Sequence, residues 1–137
     1  FSTLKGKTIA LLGLSFKPNT DDVREASSIK IIKCLLDEGV NVRVFDPEVK
    51  LLSDFDTTDI TYAKDSYDVV EGADAVLLVT EWNMFRELDL ERLKKVMKQS
   101  YFFDLRNVYD PKKLESAGFY AYVIGRQLIS KELKETH

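Results

Sequence analysis

Cysteine and histidine are nearly absent from the 137-residue chain: there is one of each, Cys34 and the terminal His137. No intramolecular disulfide can form, and no Cys/His zinc cluster can be assembled. Nucleophilic systems that need a histidine base are excluded with them, because that base would stand on a chain end. No apolar run approaches the roughly 20 residues that span a bilayer, and no signal-peptide pattern occurs. A cytoplasmic location with no membrane partner is therefore the expectation. Neither sign of charge dominates: 20 Lys+Arg stand against 23 Asp+Glu, a formal net charge of −3. Such a balance argues against broad electrostatic binding of nucleic acid while leaving a local basic pocket open. There is no internal repeat, low-complexity segment or interior linker.

What is present suits one globular α/β domain, with 45% hydrophobic and 31% charged residues. A chain of this length buries roughly two-thirds of the surface it would expose unfolded. It begins at Phe1 without an initiator Met, so residues 1–7 read as the remnant of an upstream connection. The domain proper is expected over 8–125, and 126–137 reads as an amphipathic or frayed C-terminal tail.

Thr8-Ile-Ala-Leu-Leu-Gly13 is the pattern of a strand buried on both faces. The segment from Ser27 to Glu38 places Ile29, Ile32, Leu35 and Leu36 on one helical face, with Gly39 as its stop. Val40 to Phe45 is a second strand, which completes a βαβ unit with a right-handed crossover. Short strands follow at Ile60–Tyr62, Ala75–Val79, Tyr101–Phe103 and Tyr120–Val123. Helices are expected at Ser66–Glu71, after the cap Asp89, and over Asp110-Pro111 to Gly118. The alternation predicts a Rossmann-like, doubly wound, mostly parallel sheet of five to six strands with helices on both faces.

Ligands of such sheets bind outside the carboxyl ends of the strands, where the strand order reverses. The rim is then Gly13 to Arg24, Thr80 to Phe85 and Asp104 to Asn107. Three cations lie on it: Lys17, Arg24 and Arg106. Loops two strands apart are separated by roughly 10 Å, a gap that a nucleotide diphosphate bridges. The glycine-rich dinucleotide fingerprint is absent, since Gly13-Leu-Ser-Phe-Lys-Pro18 carries neither of the later glycines. Without them, Asp46-Pro47 reads as a turn rather than as a ribose ligand. Asp21-Asp22 reads as an Arg24 orienter or helix cap rather than a catalytic dyad. Trp82 reads as a lid on the core, and Cys34 as a small buried hydrophobe. A phospho-acceptor receiver shares the architecture but needs acids where Gly13 and Thr80 stand.

Two segments carry a resemblance. Gly13-Leu-Ser-Phe-Lys-Pro-Asn-Thr-Asp-Asp-Val-Arg-Glu25 and Val44-Phe-Asp-Pro-Glu-Val49 look like the C-terminal, UDP-binding domain of UDP-glucose 6-dehydrogenases, in the UDP-glucose/GDP-mannose dehydrogenase family. Val79-Thr-Glu-Trp-Asn-Met-Phe85 and Phe103-Asp-Leu-Arg-Asn107 match in order and spacing. The resemblance implies an NAD-dependent, two-step oxidation of a sugar C6 alcohol, from UDP-glucose to UDP-glucuronate. It implies further that NAD is bound mainly by an N-terminal domain, and that a middle helical segment supplies the catalytic cysteine and the dimer. Neither part is in this chain, so no catalytic residue is expected within it and the chain alone is expected to be inactive. The full-length protein is expected to be a homodimer or higher, and the fragment a monomer.

By the same resemblance Phe16, Lys17 and Arg106 contact the substrate, and Arg24 reaches the NAD pyrophosphate. Ala26 and Leu105 depart from the family's frequent Ser and Gly. Trp82, where N-acetylated-sugar branches commonly have His, inclines the reading toward UDP-glucose. The alternatives are a dehydrogenase of another nucleotide sugar (a UDP-N-acetylhexosamine or GDP-mannose) and a stand-alone non-enzymatic nucleotide-binding module.

Overall fold

The computed structural model describes residues 4–14, 27–52 and 55–123. Phe16, Lys17, Asp21, Asp22, Arg24 and the 126–137 tail lie outside the described residues. Among the described residues six strands form: β1 (Thr8–Leu12), β2 (Asn41–Phe45), β3 (Thr61–Tyr62), β4 (Ala75–Leu78), β5 (Tyr101–Asp104) and β6 (Tyr120–Val123). Among the same residues five helices connect or flank them: α1 (Ser27–Asp37), α2 (Ser66–Val70), α3 (Asn83–Arg86), α4 (Leu90–Val96) and α5 (Pro111–Ser116). The strands make one sheet in the order β3-β2-β1-β4-β5-β6, and every neighbouring pair is parallel. This is the doubly wound order the alternation predicts, with the reversal between β1 and β4.

The two-residue period of each strand sorts its side chains between the faces. Ile9 and Leu11 of β1 meet Val42, Val44 and Ala75 in a core that α1 closes with Ile32. Ala10 and Leu12 point the other way, into a larger core with Val76, Leu78 and Phe102. That second core is covered by Val69 and Val70 of α2, Phe85 of α3, Leu90 and Leu93 of α4, and Leu114 of α5. The central strand is thus apolar at successive positions because both its faces are covered.

Helix boundaries follow their local chemistry. The side chains of Asp65, Asp89 and Asp110 cap α2, α4 and α5, and Pro111 opens α5 where a missing N–H costs nothing. The far end of α2 is closed from the sheet: Arg43 donates through Nε to the Val69 carbonyl at 3.0 Å and through Nη2 to that of Asp68 at 2.7 Å. The four-residue α3 is too short to show a helical period in the sequence.

One expectation is corrected. Cys34 is exposed, not buried. It sits two positions after the fully buried Ile32, about 200° around the helix, so apolar residues beside it in the chain do not enclose it in space.

Asp74 pins the amino ends of β1 and β4. Its Oδ2 accepts from the Thr8 N–H at 2.8 Å and its Oδ1 from Gln99 Nε2 at 2.8 Å. Burial acts to raise its pKa, but those two bonds and the charges of Lys98 and Lys7 outweigh burial and hold it below 3.8. A depressed native pKa stabilises the fold above the unfolded value and ceases to as pH falls through the native one. Asp74→Asn is therefore expected to flatten the acid limb of stability below about pH 4, read as urea midpoints at pH 5 and pH 3. An unchanged difference between those two midpoints would contradict the assignment.

Candidate functional site

At the sheet reversal the chain leaving β1 and the chain leaving β4 run against each other. Val79 and Thr80 both donate to the Leu12 carbonyl, at 2.9 and 3.3 Å. Gly13, at φ +99, lies so close to Thr80 that a Cβ on it would stand 2.4 Å from Thr80 Cβ and 2.7 Å from Thr80 N. In a dinucleotide site the first glycine, which this position matches, allows the tight turn out of the strand. In this chain the same freedom is spent on packing one strand exit against its neighbour.

Asp46, at the exit of β2, joins these loops to its own. Its Oδ1 accepts from the N–H groups of Glu48 and Val49 at 2.8 and 3.0 Å, the turn geometry the sequence suggests for Asp-Pro. Its Oδ2 accepts from the Leu14 N–H at 2.7 Å and from the Trp82 indole at 3.3 Å. The carboxylate is 2% exposed, so three strand exits converge on one buried anion. Trp82 is also buried and closes the core beneath the crevice. The lid reading of Trp82 and the turn reading of Asp46 both agree with these contacts.

The exit of β5 is shaped by a second buried carboxylate. Asp104 keeps the inward phase of Phe102 and is fully buried. It accepts from the backbone N–H groups of Arg106 at 3.0 Å and of Val108 and Tyr109 at 2.7 Å each. The loop curls around it, with Asn107 at φ +59, a left-handed conformation that Asn tolerates. Tyr109 locks the far side: its hydroxyl donates to the Phe85 carbonyl and receives the Leu88 N–H at 3.4 Å. Burial, with the Asp104 charge adding and the Leu88 bond opposing, pushes the Tyr109 phenol up to about 12, so it stays protonated near neutrality.

Arg106 is carried outward by this loop with its side chain 40% exposed. Its Nη2 meets Glu81 Oε1, from the β4 exit, at 3.1 Å, and Glu81 Oε2 meets Arg86 Nη2 at 3.8 Å. Two guanidiniums thus flank one carboxylate beside the sheet reversal.

Of the four residues singled out from sequence, the structure places only Arg106, on the expected rim; Phe16, Lys17 and Arg24 fall outside the described residues. Glu81 as a partner of Arg106 was not anticipated. Asp104 had a signal that sequence reasoning passed over: an acid closing a strand in phase with a buried Phe. Among the described residues there is no group of three or more His, Cys, Asp or Glu able to hold a metal ion, and no helix long and apolar enough to cross a membrane. A cleft of about 240 Å³ opens beside Asp46 at the carboxyl ends, between Leu14, Lys50, Tyr62 and Lys64. A larger one, about 360 Å³, lies at the opposite edge among Thr8, Arg43 and Glu71. Size alone would favour the second. Its Arg43 guanidinium is committed to helix carbonyls, and it lies away from the strand exits where this fold binds ligands.

Known proteins resemble this chain over most of its length. The profile of the UDP binding domain of the UDP-glucose/GDP-mannose dehydrogenase family matches residues 10–111. A UDP-glucose 6-dehydrogenase from Pongo abelii is 40% identical in an alignment 149 positions long that covers 97% of this chain. One from Rhizobium meliloti is 42% identical over 128, covering 90%. The chain spans 30% and 28% of the lengths of these two relatives. The solved structure of an NDP-N-acetyl-D-galactosaminuronic acid dehydrogenase from Methanosarcina mazei aligns with a TM-score of 0.82 at 27% identity. That alignment covers 92% of this chain and 26% of the other.

Proposed function

Because this chain belongs to the UDP-glucose/GDP-mannose dehydrogenase family, as its UDP-binding domain, we propose that it is the nucleotide-sugar-binding part of an NAD-dependent UDP-glucose 6-dehydrogenase. The single observation that carries the reading is Arg106: a half-exposed guanidinium, held by a buried carboxylate's loop, at the carboxyl end of the strand next to the sheet reversal. A planar fork in that position suits the oxygens of a diphosphate. Phe16 and Lys17, which follow β1 in the sequence, are proposed to share in that grip.

The described residues do not fit NAD as a primary ligand. Asp46, in the place of a ribose-binding acid, is buried and engaged by backbone and indole N–H groups, and Gly13 packs on Thr80. The cofactor belongs instead with an N-terminal domain, which Arg24 would reach across the interface. When bound there, NAD supplies the hydride acceptor for the oxidation. This domain contributes the grip on the nucleotide. The middle segment with its cysteine, and a homodimeric or larger cytoplasmic assembly, are proposed for the full-length protein.

Titration of the 137-residue chain with UDP, followed by amide chemical shifts, is expected to perturb Gly13–Leu14, Thr80–Trp82 and Asp104–Asn107. Arg106→Ala is expected to weaken UDP about tenfold or more by removing a charge-assisted contact. Shifts confined to the amino-end cleft, or none at millimolar UDP, would refute the assignment.

A further inference from the structure

We infer that Glu81 is a positioning residue for this site: it holds the Arg106 guanidinium in the orientation that receives the nucleotide diphosphate. The inference rests on the nucleotide-sugar reading above and extends it to a residue that reading does not require.

Surface ion pairs are generally weak because two long side chains must be held still. Here both backbones are already clamped. Thr80 and Trp82, on either side of Glu81, are buried at 1% and 8% exposure, one against Gly13 and the other against Asp46. Arg106 is fixed from its own side by the Asp104 carboxylate. The pair at 3.1 Å therefore joins two pre-set points across neighbouring strand exits, and only the side-chain torsions remain to be ordered.

Arg86 answers the obvious objection, that a carboxylate would repel a diphosphate. It approaches the second Glu81 oxygen at 3.8 Å, so two cations and one anion leave a net positive cluster. A guanidinium has five N–H donors in a rigid plane. Among the described contacts Arg106 commits Nη2 to Glu81, and its side chain stays 40% exposed for an incoming anion. An arginine ordered in advance loses less rotamer freedom on binding than one that must be immobilised by the ligand.

The test compares wild type, Glu81→Ala, Glu81→Gln and Arg106→Ala in the 137-residue chain, titrated with UDP and separately with uridine, which lacks phosphate. Glu81→Ala is expected to raise the Kd for UDP about three- to tenfold and leave that for uridine unchanged. Glu81→Gln keeps an acceptor at the same distance and is expected to restore UDP binding to within about twofold. The Arg106 Nε–Hε resonance should sharpen in wild type and Glu81→Gln and broaden in Glu81→Ala, a readout that fold damage elsewhere would not single out.

If Glu81→Ala binds UDP as well as wild type or better while Arg106→Ala loses it, the site stands and the positioning role is wrong: Glu81 is then neutral or a competitor. If Glu81→Ala weakens UDP and uridine alike, the loss is general loop damage and the role is likewise wrong. If wild type fails to prefer UDP over uridine, the diphosphate reading itself fails and takes this inference with it.

Discussion

Gly13→Ala is expected to destabilise the chain by about 4 kcal/mol, the largest effect of adding one carbon anywhere described here. Roughly 1–2 kcal/mol comes from forcing an L side chain into positive φ. About 1–3 kcal/mol more comes from overlap in a packed interior. The overlap has no cheap escape, since the new Cβ would lie 2.7 Å from the Thr80 backbone nitrogen as well as 2.4 Å from its Cβ. Relief requires the β1 and β4 exits to part, which strains the Val79 and Thr80 bonds to the Leu12 carbonyl. Gly72 is the matched control: its φ is +72, but an added Cβ would meet nothing within 4 Å. Gly72→Ala should therefore cost only the backbone share, about 1–2 kcal/mol. Urea unfolding of the two variants measures the difference directly. Equal losses would mean that Gly13 is needed only for its φ, and that the two exits are not in essential contact.

Replacing Asp104 should do nearly as much harm and should reach the ligand as well. Asp104→Ala is expected to cost about 3–5 kcal/mol, because it strips a buried carboxylate from three backbone donors at once. Water can reach the Arg106 amide more readily than that of the buried Tyr109, so the orphaned inner donors carry most of the loss. Asp104→Asn is expected to lose only about 1–2 kcal/mol, since an amide keeps one acceptor and can turn it toward Val108 and Tyr109. The two variants should separate stability from binding. With the amide oxygen turned inward, the Arg106 N–H faces an NH2 group, and the loop presents its guanidinium less well. UDP affinity is then expected to fall in Asp104→Asn by more than its stability loss suggests. An alanine variant within about 1 kcal/mol of wild type would show that the loop is held by something other than this anion.

The elements most readable from sequence were those whose identity is local. The β1 run, the caps Asp89 and Asp110, Pro111, and the stops Gly39 and Gly118 each state their role within a few residues. The exposure of Cys34 is not legible from its apolar neighbours in the chain, because a helix separates positions two apart by more than half a turn. The helix α3 leaves no trace in the sequence because one turn has no period. Glu81 and Arg106 are 25 residues apart and belong to different strand exits, so no spacing rule joins them.

Periodicity and end-signals alone determined that this chain is a doubly wound α/β domain. They suffice because strand, helix and cap preferences act within a few bonds of each residue. Only the tertiary structure decided that Asp46 and Asp104 are buried among backbone donors from several segments, and that Arg106 comes to rest against Glu81. Those outcomes depend on which strand exits the sheet order sets side by side, and that order arises from long-range pairing and shared burial rather than from any residue's immediate neighbours.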